Sequence, residues 1–211
     1  MEISWLGHSC LRIRSNEVTL ITDPYGDSLG ISLGRQKAEI VTVSHPHPNH
    51  SGYHAIEGSP RVLKSPGEYE IADFYITGMG TERNDPEGER QVNTVFTIRC
   101  EGVTLCHLGD LKRMLSPRQI EELSQMDVLF VPAGGVCTIS PSRVAELINL
   151  VAPKIVVPVH YRTDGVLTEM QPLDVFLAEM GVTDPGRSSR LNVTDSNLPK
   201  DLRLVVLDRV S

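Results

Sequence analysis

The segment Ser44-His45-Pro46-His47-Pro48-Asn49-His50-Ser51-Gly52 follows directly on the apolar run Ile40-Val41-Thr42-Val43, which puts three imidazoles on one tight turn at the carboxyl end of a strand. Neutral imidazoles are ready metal ligands, and the interspersed prolines fix φ and lower the entropy lost when such a turn is ordered. A fold that uses this segment must bring further ligands to the same place. Two other segments have the right form: Val103-Thr104-Leu105-Cys106 runs into His107-Leu108-Gly109-Asp110, and Ile155-Val156-Val157-Pro158-Val159 runs into His160-Tyr161. Ligands gather at the carboxyl ends of strands in sheets flanked by helices. Five histidines and one aspartate delivered this way predict a single convergent site.

The rest of the chain agrees with such a sheet. Short runs rich in Val, Ile, Thr and aromatics predict strands over 3–13, 18–22, 40–44, 61–64, 74–78, 94–100 and 103–106. Beyond Asp110, Ser116-Pro117 and Ser140-Pro141 read as helix starts, with helices to about 125 and 151 and a third over 172–181. They alternate with strands at 128–131, 155–159 and 202–207, so βα units pack against sheet. Residues 79–91 are charged and lack apolar periodicity, which predicts a solvated loop, and 183–200 reads as a connection. Gly134-Gly135 either lets backbone approach the site or ends the strand before it.

Composition narrows the classes. The chain of 211 residues is 40% hydrophobic and 22% charged, which suits one folded domain over 1–211. Its 20 Lys+Arg against 27 Asp+Glu leave a net charge of −7, which argues against a surface for long nucleic acid and for a small-molecule substrate. Cys10, Cys100, Cys106 and Cys137 form no paired motif and read as free thiols of a reducing compartment. No leader pattern and no apolar run of the roughly 18 residues needed to span a bilayer is present, so a cytoplasmic protein without membrane contact, open to homo-oligomerisation, is expected.

Taken together, Trp5-Leu6-Gly7-His8, Thr22-Asp23-Pro24, His45-x-His47-x-Asn49-His50, His107-x-Gly109-Asp110 and His160-Tyr161 resemble, in order, the motifs of the metallo-β-lactamase superfamily. The likeness is to its compact branch, which includes the ascorbate-phosphate lactonase and the N-acylphosphatidylethanolamine phospholipase D. It implies an α/β fold, a four-layer αββα sandwich with the metal site at one edge of two sheets. It also implies that His45, His47 and His107 hold a first ion, that His50 and His160 hold a second, and that Asp110 bridges them. Asp23 is either a turn residue or an outer carboxylate orienting a ligand imidazole; His8 is either packed or a catalytic pocket residue, as substrate contact or proton donor. Tyr161 either packs or donates at the pocket rim. The implied activity is metal-dependent hydrolysis of a small ester, lactone or phosphodiester by a metal-activated water, with Zn as the leading ion and Mn, Fe or Ni equally compatible with His and Asp ligands.

Asn49 departs from the pattern, which has aspartate there. Asparagine keeps a carbonyl oxygen but loses a charge and cannot act as a base. The second ion is therefore expected to bind more weakly, and the alternative reading is a mononuclear metal-binding protein with a structural or sensing role and little turnover.

Overall fold

The structure is a computed structural model, and it describes residues 1–84 and 90–210. The chain forms β1 (Glu2–Gly7), β2 (Cys10–Ser15), β3 (Val18–Thr22), β4 (Gln36–Lys37), β5 (Ile40–Thr42), β6 (Ile56–Glu57), β7 (Arg61–Leu63), β8 (Gly67–Ile71), β9 (Phe74–Asn84), β10 (Arg90–Cys100) and β11 (Val103–His107). There follow α1 (Pro117–Glu122), β12 (Val128–Pro132), α2 (Pro141–Val151), β13 (Ile155–Val159), α3 (Leu173–Glu179), β14 (Gly186–Ser188), β15 (Leu191–Asn192) and β16 (Arg203–Leu207). Two mixed sheets result, ordered β15-β1-β2-β3-β5-β7 and β14-β16-β13-β12-β11-β10-β9-β8, with β4 and β6 paired separately.

Alternation along the strands sorts the side chains into two cores. Ile3, Trp5, Leu11, Ile13, Leu20 and Ile40 of the first sheet share one cluster with Phe74, Phe96, Leu105 and Phe130 of the second, which is the packing of two sheets face to face. Their neighbours Leu6, Cys10, Ile21, Val41 and Val43 point the other way and pack with Tyr25, Leu29, Ile31, Leu33 and Ile56. That outer layer is a wrapped segment with 3-10 turns at Asp27–Leu29 and Tyr53–Ala55. The second sheet is backed by α-helix. In α2, Val144, Leu147, Ile148 and Val151 repeat at helical spacing and are buried, after an N-cap in which Ser140 accepts from Arg143 N and Pro141 opens the first turn.

Three expectations change. The segment 183–200, read as a connection, carries β14 and β15, which form an edge of each sheet. The run 3–13 is a hairpin: its alternating pattern is interrupted at His8-Ser9, where His8 adopts φ +51 and the chain reverses between β1 and β2. Within 79–91, the expected loop is largely sheet, since β9 and β10 pair from Arg99↔Tyr75 to Arg90↔Asn84. The tip, 85–89, lies outside the described residues. Among the described residues no helix is long and apolar enough to cross a membrane.

Candidate metal centre

Six strand ends meet at one edge. β1 leads into His8, β3 into Asp23, β5 into the turn bearing His45, His47 and His50, β11 into Asp110, and β13 into His160, while β9 approaches with Arg83. The side chains converge. Among the described residues, three groups lie close enough to share an ion: His8, His50 and His160; His45, His50 and Asp110; and Asp110, Cys137 and His160. The rings of His8 and His160 are 4.1 Å apart, those of His45 and His50 are 4.3 Å apart, and the Nε2 atoms of His8 and His50 are separated by 3.2 Å. Nitrogens about 2 Å from a tetrahedral ion lie roughly 3.3 Å from one another.

Asp110 has two different sides. Its Oδ1 lies 3.1 Å from His160 Nε2 and 3.9 Å from His50 Nε2, whereas Oδ2 lies 3.6 Å from His45 Nε2 and 3.3 Å from Arg83 Nη2. Burial pushes this carboxyl up, but His160, His50 and Arg83 outweigh it and hold it well below the usual carboxylate range. It is therefore an anion at neutral pH in a buried pocket.

The supporting network sets which nitrogen of each ring faces inward. Asp23 Oδ2 accepts from His50 Nδ1 at 2.9 Å and from Ser44 Oγ at 2.6 Å, and Oδ1 accepts from Ser44 N at 2.6 Å. Because the Ser44 hydroxyl spends its one proton on Asp23, it accepts from His45 Nδ1 at 3.0 Å. Both imidazoles thus carry their proton on Nδ1 and turn Nε2 toward the cluster. This is the outer-carboxylate arrangement that fixes metal-ligating histidines. His45 Nε2 is buried with no hydrogen-bond partner among the described residues. A buried lone pair of this kind, beside a carboxylate and further imidazoles, fits a divalent ion.

The backbone is held in the left-handed region at three of these positions: His8 at φ +51, Asp23 at φ +39 and His160 at φ +53. Each costs of order 1 kcal/mol for a residue other than glycine, and such strain concentrates at functional sites. It is anchored by hydrogen bonds. The His8 carbonyl accepts from Trp5 Nε1 and from His160 N, both at 2.9 Å, which ties the first hairpin to the end of β13. Gly134 closes on the same backbone, where a Cβ would come within 2.4 Å of the His160 carbonyl oxygen, so close approach is the reason for that glycine. Asn93, fully buried on β10, holds the next turn: its Oδ1 accepts from Asp110 N at 2.8 Å and its Nδ2 donates to the Leu108 carbonyl at 3.0 Å.

Several residues sit differently from the implied scheme. His107 Nε2 donates to the Ser9 carbonyl at 3.0 Å, and the ring belongs to none of the three groups. His47 lies beside the cluster, its ring 5.9 Å from that of His45, with its Nδ1 accepting from Asn49 N at 3.2 Å. Asn49 is buried and engaged by other side chains, accepting from Ser28 Oγ at 3.2 Å and donating to Thr168 Oγ1 at 2.9 Å. His8, read as a pocket residue or a packed one, enters a ligand group; burial and then the neighbouring His160 and His50 hold its pKa well below the ordinary imidazole value. Tyr161 is buried, stacks on Trp5 with ring centroids 5.1 Å apart, and is pushed up to about 12 by burial. Arg83 and Cys137 enter the site without having been singled out. The alternation of β9 carries Arg83 in, since Thr81 and Arg83 are buried while Glu82 between them is exposed.

The comparisons agree with this architecture. The family model described as a beta-lactamase superfamily domain matches residues 2–160. A protein of Archaeoglobus fulgidus named a UPF0173 metal-dependent hydrolase is 26% identical over 234 residues, spanning 91% of this chain and 100% of its own. A UPF0173 protein of Pyrococcus abyssi is 27% identical over 184 residues, spanning 78% and 85%. A Thermotoga maritima crystal structure described as a Zn-dependent hydrolase of the metallo-beta-lactamase superfamily aligns at TM-score 0.80 and 34% identity, covering 98% of this chain and 97% of that one. With the family domain matched over β1 to His160 and a like-sized relative superposing over nearly all of both chains, this chain belongs to the metallo-β-lactamase superfamily.

Proposed function

We propose that this chain is a metal-dependent hydrolase of small esters, lactones or phosphodiesters. The observation that carries the reading is the convergence of His45, His50, His160 and Asp110 on one buried centre, with His45 and His50 held by the Ser44–Asp23 network. The metal-dependent hydrolase names of its relatives support it. When bound, a divalent ion supplies Lewis acidity for hydrolysis at neutral pH, with Zn the leading candidate and Mn, Fe or Ni fitting the same ligands.

The chain's own residues do the rest. His50 and His160 present ring nitrogens, Asp110 supplies the anionic oxygen, and Asp23 keeps the His50 proton on Nδ1. His8 flanks His50 and His160 as a neutral ring. Two clefts, of about 330 and 390 Å³, share His45, Pro46 and Lys64, a scale that suits a small substrate. Lys64 places a cation beside them, which suits the anionic phosphodiester among the three substrate classes. A larger cleft of about 640 Å³, between Glu68 and Met126, contains no histidine and lies apart from this chemistry.

The test is hydrolysis of chromogenic esters, lactones and phosphodiesters by Zn²⁺-loaded protein, before and after chelation, alongside His50→Ala. Chelator-sensitive turnover lost in His50→Ala is expected. A metal-loaded protein that turns over none of these substrates would instead favour the non-catalytic mononuclear reading, to which Asn49, its side-chain amide engaged with Ser28 and Thr168, lends support.

A further inference from the structure

We infer that this centre takes one divalent ion, on the Oδ1 side of Asp110, and that the Arg83 guanidinium stands on the Oδ2 side as a fixed positive charge in place of a second ion. The inference rests on the metal-centre reading above and goes beyond it by assigning a role to Arg83.

A two-ion centre needs a bridging ligand, an unobstructed approach for each ion and a full set of ligands on each side. On the Oδ1 side the set is present: His160 Nε2 at 3.1 Å and His50 Nε2 at 3.9 Å, with His8 Nε2 3.2 Å from His50 Nε2. On the Oδ2 side it is not. Of the three imidazoles that the motif assigns there, His45 is the one that joins a ligand group with Asp110 among the described residues, its Nε2 lying 3.6 Å from Oδ2. His107 donates Nε2 to the Ser9 carbonyl and buries Nδ1 without a hydrogen-bond partner, His47 accepts from the Asn49 amide at Nδ1, and neither ring joins a ligand group among the described residues.

Arg83 takes the remaining approach to Oδ2. Its Nη2 is 3.3 Å from that oxygen, and the side chain is 8% exposed against 4% for Asp110. A guanidinium stays protonated at every pH a protein survives, so it cannot yield as a histidine would by losing a proton. An ion on Oδ2 would therefore have to sit beside a permanent like charge in a site that water does not screen. The arginine is there because β9 is a strand: Thr81 and Arg83 face inward and Glu82 outward. A histidine at the same inward position would offer a lone pair where arginine offers only N–H groups.

The experiment is metal counting on the full chain. Metal-stripped protein is titrated with ZnCl2, and separately with MnCl2, by calorimetry, and the dialysed product is analysed for metal by mass spectrometry. Expected are one ion per chain for the unaltered protein, two for Arg83→His, and one for Arg83→Lys, which keeps the charge. Should Arg83→His lose its native circular dichroism, Arg83→Gln replaces it, with a second ion expected at raised Zn²⁺. Two ions in the unaltered protein overturn the inference and leave the metal-centre reading standing. One ion in a natively folded Arg83→His, or in Arg83→Gln where that stands in, overturns the role given to Arg83. No bound ion in the unaltered protein overturns both.

Discussion

Asp23 Oδ2 accepts a hydrogen bond from His50 Nδ1 at 2.9 Å while the same carboxylate holds the Ser44 amide and hydroxyl, so a fully buried anion at the end of β3 orients two imidazoles that lie on a turn after β5. Burial alone would raise this carboxyl, but the His50 and Ser44 hydrogen bonds outweigh it and keep it below the ordinary range. Replacing it removes the acceptor from three buried donors. Asp23→Ala is expected to weaken Zn²⁺ binding about 10- to 100-fold and to cost about 3 kcal/mol in stability, measured by calorimetric titration and by urea unfolding of the metal-free chain. Unchanged affinity would remove Asp23 from the site.

Trp5 is the single tryptophan of the chain, buried at 3% exposure, bonded through Nε1 to the His8 carbonyl and stacked on Tyr161. An ion that draws on the His8 ring moves the backbone this indole holds. Zn²⁺ titration is expected to change Trp5 emission with saturation, and His8→Ala to abolish the change while leaving the emission maximum at short wavelength. Emission that responds equally in both proteins would detach His8 from the centre.

Gly134 faces the His160 carbonyl oxygen with room for no Cβ, the approach being 2.4 Å to a backbone atom that cannot rotate away. Gly134→Ala is expected to destabilise the fold by about 2 kcal/mol, and to weaken Zn²⁺ binding as well, because the loop it displaces adjoins the strained His160. Gly181, which has nothing within 4 Å of an added Cβ but holds φ +66, serves as the control: Gly181→Ala costs stability through its backbone alone and leaves metal binding unchanged.

The metal-free chain should lose stability as pH falls. His8 and His107 are held below their ordinary values, first by burial, so below about 6.5, the value of an unfolded histidine, the unfolded chain binds protons that the native one does not. His50, raised by its Asp23 bond against the opposing effect of burial, acts above that pH instead: its contribution is complete below about 6.5 and is lost as pH rises through its folded value, so it does not offset the two lowered rings. Below about 4 the depressed carboxyls of Asp23 and Asp110 add to the loss, since their contribution is present above the unfolded value and disappears as pH falls through the folded one. Urea midpoints taken from pH 8 to pH 3 are expected to fall in both windows. A midpoint constant from pH 7 to pH 5 would contradict the account of the buried rings.

What could be read from the residues follows from how local each signal is. An apolar strand that ends in a histidine is written in consecutive residues, so the deliveries of His45, His50, His107 and His160 to strand ends were legible, as were the helix starts at Ser116-Pro117 and Ser140-Pro141. Where a ring points is decided across the fold. His107 turns to the Ser9 carbonyl because the β1–β2 hairpin passes over it, and that hairpin was hidden by apolar alternation running on through its turn. Arg83 was masked by composition: the charges of the segment read as solvent-facing, although strand alternation buries every second one of its residues from Thr81 to Arg83. Cys137 carries no local mark, and its approach to Asp110 and His160 depends on the loop after β12 folding back onto the site.

The central claim is that these strand ends form a metal centre, and an anomalous difference map from crystals soaked in ZnCl2, recorded at the zinc edge, tests it most directly. The account predicts one strong peak within bonding distance of His50 Nε2, His160 Nε2 and Asp110 Oδ1, with Arg83 still against Oδ2. A map with no peak among His8, His45, His50, Asp110 and His160 would contradict it.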